Sequence, residues 1–203
     1  MSEPGTFYET HGADFSKSRY RVWPQVRAFL DALPHGAKVL DIGCGNGKNM
    51  LAARADLTVF GCEPSSTLCE ICAERGLNVV QGDARNLPFK DASFDAVIMI
   101  AVIHHIDPCE QDKALFEIQR VLKPSGKALI TCWAVEQPEG ARRSFHVGLN
   151  IVKWKGKESA PLKYWIMDRW LAEGFVSTLP SSLSCEELSL NAGNWVFTLR
   201  HTI

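Results

Sequence analysis

Lys38-Val39-Leu40-Asp41-Ile42-Gly43-Cys44-Gly45-Asn46-Gly47-Lys48 is the stretch whose reading decides the fold. Val39, Leu40 and Ile42 read as a short buried strand. Gly43-x-Gly45-x-Gly47 reads as a tight turn, and a helical pattern follows from about Lys48 to Arg54. A strand, a glycine turn and a helix start bring backbone N–H groups close to a ligand. A nucleotide phosphate is the usual occupant, but two details oppose it. Asp41 stands two residues before Gly43, where its carboxylate repels a pyrophosphate. The third glycine follows the second by two residues, where the dinucleotide fingerprint has three. A ligand with a cationic end and no phosphate suits this loop better. A strand-to-helix turn with no ligand is the alternative reading.

Working outward, strands alternate with helices. Strand two is expected over 58–62, closed by Glu63-Pro64. Ser65 is a good N-cap for a helix with Leu68, Ile71 and Cys72 on one face, ended by Gly76. Strand three is expected over 78–81 before Gly82-Asp83-Ala84, and strand four over 94–100. A helix starting at Asp107-Pro108 carries Leu115, Ile118, Val121 and Leu122, and a turn at 123–126 leads into strand five, 127–133. Upstream, Trp23-Pro24 opens a helix with Val26, Phe29, Leu30 and Leu33 on one face, and 7–20 is a candidate cap helix over the glycine turn. In the last third, 136–163 reads as polar and irregular. A helix is expected over 164–172, stopped by Gly174, with strands over 175–179 and 195–199 and a turn at Asn191-Ala192-Gly193. The alternation predicts an α/β fold with a doubly wound parallel sheet and right-handed crossovers. One domain is expected over 1–203: an N-terminal cap (1–35), a ligand-binding core (36–134), and a substrate loop with C-terminal strands (135–203).

The 203 residues are 46% hydrophobic, enough for one large core. A formal net charge of −1 and a pI near 6.6 do not mark a nucleic-acid binder, yet leave room for local basic patches. No secretory pattern is visible over 1–15, and the longest apolar run, 96–103, is too short to span a membrane. The expected location is the cytoplasm, with the nucleus as an additional compartment. Seven cysteines, an odd number without a leader, point to reduced thiols. Cys69-x-x-Cys72 lies inside a helical pattern with no second pair, so structural thiols are expected and no metal site.

Ligands of doubly wound sheets bind beyond the carboxyl ends of the strands. Asp41, Glu63, Asp83 and the segment 100–105 all fall at such ends. Glu63, 22 residues after Asp41, is placed to accept both ribose hydroxyls of an adenosine. Asp83 is placed for the adenine amino group, with Pro64 and Ile100 on the two faces of the ring. S-adenosylmethionine (AdoMet), with its adenosine, sulfonium and ammonium, meets this description.

Asp41-Ile42-Gly43-Cys44-Gly45-Asn46-Gly47, the acid at 63, Gly82-Asp83-Ala84, Leu87-Pro88-Phe89, Ser93-Phe94-Asp95 and Leu122-Lys123-Pro124 together resemble the class I AdoMet-dependent methyltransferases over residues 36–134. The resemblance implies a Rossmann-like, seven-stranded, mostly parallel sheet with the Trp195 strand antiparallel. It implies AdoMet as cofactor, S-adenosylhomocysteine as product, and cofactor contacts from Asp41, Gly43, Cys44, Gly45, Glu63, Pro64, Asp83, Ala84, Ile100, Ala101 and Arg19. A narrower resemblance rests on Phe15-Ser16-x-Ser18-Arg19-Tyr20-x-x-Trp23-Pro24, Gly61-Cys62-Glu63, Ile100-Ala101-Val102-Ile103-His104-His105 and Trp133-Ala134-x-Glu136-Gln137. These look like the tRNA wobble-uridine methyltransferases, which convert 5-carboxymethyluridine to its methyl ester. That family implies tRNA and a small zinc-binding activator subunit as partners. The sequence departs from the family pattern at Asp14, where a His is usual. It departs again at Val152-Lys153-Trp154 for Val-Pro-Trp, and at Lys163-Tyr164-Trp165-Ile166 for Arg-Tyr-Tyr-His. A small-molecule O- or N-methyltransferase and a non-catalytic AdoMet-binding subunit are the rival readings.

Methyl transfer from a sulfonium is an in-line displacement. A carboxylate nucleophile is already ionised at neutral pH and needs positioning and dehydration, not a base. His104 and His105, after strand four, are candidates to hold the acceptor carboxylate, or to act structurally. Arg19 is a candidate partner for the acceptor or the cofactor carboxylate. Residues 14–30 and 136–170 each carry a net +3, and both flank the expected mouth. Trp133, Lys153, Trp154 and Lys155 are the candidate substrate contacts, the indoles for stacking an unpaired base.

Overall fold

A computed structural model describes residues 4–18, 21–154 and 157–202. Its elements in chain order are α1 (Pro4–Ser18), α2 (Pro24–Asp31), β1 (Lys38–Ile42), α3 (Lys48–Leu51), β2 (Thr58–Glu63), α4 (Ser66–Glu74), β3 (Asn78–Gln81), β4 (Phe94–Ile100), α5 (Gln111–Val121), β5 (Leu122–Trp133), β6 (Gly148–Trp154), β7 (Lys157–Ile166), α6 (Arg169–Ser177), β8 (Leu183–Asn191) and β9 (Asn194–His201). One seven-stranded sheet has the order β3-β2-β1-β4-β5-β9-β8, and β6-β7 is a separate antiparallel hairpin. The pairs among β1–β5 are parallel, while β9 runs antiparallel to both β5 and β8. Strand order reverses between β1 and β4, so the crevice lies past Ile42 and Ile100.

Alternation along the strands builds a core on each face. On β4, Ala96, Ile98 and Ile100 join α2 (Val26, Leu30) and Val39 on one side. Val97 and Met99 join α5 (Leu115, Ile118), α6 (Phe175) and Phe197 on the other. Both sets are apolar because a parallel sheet is covered on both faces. No described helix is long and apolar enough to cross a membrane.

The C-terminal third differs from its sequence reading. Residues 157–166 are strand, not the start of a helix: Leu162, Tyr164 and Ile166 are buried while Lys163 and Trp165 are not, a period of two. The helix begins later, where the Asp168 carboxylate accepts the Leu171 N–H at 2.9 Å. Gly174 and Phe175 therefore lie inside α6, and the strand expected over 175–179 is absent. β8 takes its place at the sheet edge; its mixed serines, glutamates and leucines give no strong period. The turn expected at 123–126 is an irregularity within β5, with pairing to β4 jumping from Phe94↔Leu122 to Ala96↔Lys127 around Ser125 at φ 64°.

α1 crosses α4 and the β6-β7 hairpin. Its Phe7 packs with Val152, Leu162, Tyr164 and Ile166. Its Glu9 carboxylate receives the Ser66 N–H (2.6 Å) and the Ser66 hydroxyl (2.8 Å) at the N-terminus of α4. The Ser66 bonds hold the Glu9 carboxyl below its ordinary range, so this clasp is complete at neutral pH and weakens as pH falls through the lowered value. Glu9→Ala is expected to raise amide hydrogen exchange in α1 several-fold at pH 7 and leave β1 and β4 protected. Unchanged exchange in α1 would show that apolar packing alone holds it.

Candidate functional site

The glycine loop takes the shape that its residue types allow. Gly43, Gly45 and Gly47 have φ of 64°, 58° and 73°, all left-handed. A Cβ on Gly43 would stand 2.4 Å from Val102 Cγ2, and one on Gly47 2.2 Å from Leu77 Cδ1. Gly43 and Cys44 donate N–H bonds to the Cys62 carbonyl at 2.7 and 3.2 Å. Beneath the loop, the Cys72 thiol donates to Gly45 O at 3.3 Å and the Cys69 thiol to Glu63 O at 3.4 Å, so this C-x-x-C pair braces backbone. Among the described residues no cluster of three or more metal-binding side chains exists.

Two carboxylates are buried here. Glu63, 4% exposed, accepts Gly45 N–H at 2.9 Å and Ser65 N–H at 3.1 Å. Burial pushes its carboxyl up to about 7 against those two bonds. Asp41 is also pushed up to about 7 by burial; its Oδ2 takes Asn49 Nδ2–H at 3.4 Å, and its Oδ1 has no partner among the described residues.

These strand ends open on a cavity of about 540 Å³, within the range of roughly 300–1,000 Å³ typical of small-ligand sites. Of the expected cofactor residues, Gly43, Cys44, Gly45, Glu63, Pro64, Ile100 and Ala101 line it. Asp41 lies behind the loop. Asp83 and Ala84 are not in the lining. The Asp83 carboxylate is taken by Arg85, which also reaches Glu110, and Arg85 holds the Asp83 carboxyl below its ordinary range. Arg19 and Lys155 lie outside the described residues, as does the side chain of Trp154. Lys153 is exposed on β6.

The two histidines divide. His104, 1% exposed, accepts the Trp133 N–H at Nδ1 (3.2 Å), so its proton sits on Nε2, and it does not line the cavity. His105 does line it. Its Nδ1 faces the Lys163 carbonyl at 3.3 Å, which can only accept, so Nδ1 carries the proton and Nε2 accepts from the Tyr8 hydroxyl at 3.4 Å. Burial lowers both imidazoles, His105 to about 4, and both are neutral at pH 7. Trp133 stacks on Tyr164 at 4.8 Å and borders the cavity.

Tyr8, Phe15, Arg21, Trp23, Asn46 and Lys48 also line the cavity and were not among the expected site residues. Phe15 and Trp23 stood in the quoted family pattern, and Lys48 directly follows the loop. Nothing local marks Tyr8, which reaches the site only because α1 folds back.

Ligand-free stability should carry the signature of Glu63. The folded state holds its proton up to about pH 7, while the unfolded chain releases it near 4.5, so stability falls as pH rises across that window. Urea unfolding between pH 4.5 and 7 should show the fall, and Glu63→Gln should remove on the order of 2 kcal/mol of it. A variant that keeps the full wild-type slope would assign the titration elsewhere.

The comparisons with known proteins agree with this geometry. A methyltransferase domain family matches residues 40–130. The tRNA (carboxymethyluridine(34)-5-O)-methyltransferase of Arabidopsis thaliana is 38% identical over 168 residues, 82% of this chain and 38% of that protein. The tRNA (carboxymethyluridine(34)-5-O)-methyltransferase ALKBH8 of Macaca fascicularis is 46% identical over 138 residues, 68% of this chain and 21% of that protein. The chain thus spans well under half the length of these curated relatives. In fold it is similar to a chain from the Haloferax volcanii complex of the Trm112 methyltransferase activator with a methyltransferase: TM-score 0.70, 18% identity, 98% of this chain and 95% of that one. The glycine loop, the acid closing β2 and the antiparallel β9 all belong to the same pattern, and the chain belongs to the class I AdoMet-dependent methyltransferases, in the family of the tRNA (carboxymethyluridine(34)-5-O)-methyltransferases.

Proposed function

We propose that this chain transfers the methyl group of AdoMet to the carboxylate of 5-carboxymethyluridine at the wobble position of tRNA, giving the methyl ester and S-adenosylhomocysteine. The observation that carries the reading is a crevice with a ribose-binding acid at one end and no basic group among its described histidines. Relatives at 38 and 46% identity that bear this activity in their names support it.

The residues present fit AdoMet. Glu63 offers buried carboxylate oxygens to ribose hydroxyls, and Pro64, Leu68 and Ile100 give apolar faces for adenine. Arg21 and Lys48 line the same cavity and suit the cofactor's carboxylate. Bound there, AdoMet supplies an electrophilic methyl group on a sulfonium.

The acceptor carboxylate attacks without losing a proton, so the neutral histidines are not asked to be bases. Their work is to hold walls. His104 fixes the Trp133 backbone, and His105 joins Tyr8 of α1 to β7. These walls keep water from a nucleophile that must shed its hydration near the sulfonium. A hydroxyl or amine acceptor would need a proton taken from it, and no described side chain lining the cavity supplies a histidine able to do so without its existing bonds.

The second part of the proposal is an activator subunit of the Trm112 kind. Its support is the fold similarity to a chain of the complex that contains one.

Tritium transfer from labelled AdoMet to total tRNA, with and without an activator, followed by mild base, tests both parts. The expected result is label in tRNA that base releases, increased by the activator. Base-stable label would move the acceptor to a ring atom or ribose. Label absent from tRNA, with AdoMet still bound, would turn the reading toward a small-molecule acceptor. Glu63→Ala should weaken AdoMet binding by about 10- to 100-fold in calorimetry, the loss expected of charge-assisted hydrogen bonds.

A further inference from the structure

A second cavity, about 450 Å³, adjoins the first and shares Ser18, Trp23 and Trp133 with it. Its described lining holds two guanidiniums, Arg142 and Arg143, and no carboxylate. Neither arginine makes a described ion pair, and Arg143 Cζ stands 6.0 Å from the Trp133 ring centre.

The floor of this cavity is built rather than incidental. β8 turns into β9 through Ala192 (φ 46°) and Gly193 (φ 76°). Gly193 O receives Ala134 N–H at 2.9 Å and Gln137 Nε2–H at 3.0 Å, and Gln137 also donates to Ala134 O at 2.7 Å. A Cβ on Gly193 would meet Gln137 at 2.7 Å, so only glycine lets the two segments approach. Asn194 follows, 7% exposed, and sits directly across from Trp133 in the β5-β9 ladder. Cross-strand partners present their side chains on the same face, so amide and indole are neighbours. Asn194 Nδ2 donates to Ala192 O at 3.0 Å, which fixes the amide's orientation. Its Oδ1 is buried and has no partner among the described residues.

A buried acceptor left unpaired costs free energy until a donor arrives. Here it stands beside an aromatic face and under two free cations. A planar ring with an N–H in its plane and an anionic group attached satisfies all three. We propose that this second cavity is a pyrimidine subsite in which Asn194 Oδ1 accepts the imide N3–H of the acceptor uracil. Arg142 and Arg143 take its anionic phosphodiester neighbours, and the 5-substituent extends past Trp133 toward the first cavity. This rests on the uridine acceptor proposed above. It adds a selection that carboxylate chemistry alone does not make. Cytosine presents an acceptor at N3 and would face Asn194 Oδ1 with repulsion, as an N3-alkylated uracil would with a clash.

The test uses the full chain with its activator and two anticodon stem-loop RNAs. One carries 5-carboxymethyluridine at the wobble position, the other its N3-methyl derivative. Methyl transfer and AdoMet binding are measured for wild type, Asn194→Ala and Arg143→Gln. Wild type should lose about tenfold or more in kcat/KM on the N3-methyl RNA. Asn194→Ala should lose a similar factor on the unmodified ring and show no further loss on the N3-methyl one, with AdoMet affinity unchanged. Arg143→Gln should raise KM for RNA and flatten its salt dependence. Equal wild-type turnover of the two RNAs overturns the subsite while leaving the acceptor reading standing, and this comparison holds even if Asn194→Ala does not fold. Weakened AdoMet binding in Asn194→Ala would also overturn it, by giving the cavity to the cofactor. No transfer by wild type to either RNA would strike the acceptor reading, and the subsite with it.

Discussion

The Glu63 carboxylate holds Gly45 N–H with one oxygen and Ser65 N–H with the other, and so ties the β1 loop to the start of α4. The rest of the site depends on this pair of bonds. They draw the loop onto β2, where Gly61 has no side chain to meet Cys44 Sγ; a Cβ there would be 2.7 Å away. They also draw α4 in, so that Cys72 packs with Cys44 and Met50 in a small core under the loop. A carboxylate in so buried a place is expensive to ionise, as its upward shift shows. The fold accepts that cost at the point where a ligand with hydroxyl donors and a positive charge would offset it.

The far wall answers a different constraint. β4 delivers its chain into the crevice through Ala101 at φ 59°, a left-handed conformation that a side chain rarely adopts. The Ala101 N–H is caught by the Thr131 hydroxyl at 2.9 Å, which fixes the bend against β5. The turn that follows sets Val102 against Gly43 and sends His104 and His105 into a cluster with Trp133 and Tyr164. This cluster links the sheet end, the β6-β7 hairpin and α1. Titratable rings in it behave as neutral, hydrogen-bonded packing. That is consistent with a reaction that needs shape and dryness more than proton transfer.

Legibility followed how local each signal was. The glycine loop, the acid closing β2 and the unbroken apolar run of β4 are short segments whose residue types admit one conformation, and each could be placed from sequence. β9 was legible because Trp195, Val196, Phe197 and Leu199 are all core residues. The β6-β7 hairpin was not: its apolar positions Leu149 and Ile151 face outward, so polarity and burial do not alternate together. α6 was misplaced because Tyr164, Trp165, Ile166 and Met167 suit a helix as well as a strand, and only the Asp168 cap marks the start. Tyr8 and Asn194 reach the site through long-range folding, which no window of sequence contains.

The departures from the family pattern can be sorted by where the hairpin puts them. Tyr164, which the pattern keeps, is buried and stacks on Trp133. Lys163 and Trp165 alternate with it on the other face, and Lys153 is exposed on β6, so three of the altered positions point away from the Trp133 stack. Ile166 is 1% exposed and packs with Phe7 and Val152, where an apolar side chain holds α1 to the hairpin. Asp14 is half-buried on α1, one residue before the cavity-lining Phe15. The changes therefore fall on the outer face and on the packing behind the cap, while the loop, Glu63 and the aromatic wall stay intact. A surface altered in this way changes how a large substrate is held before it changes what is done to it.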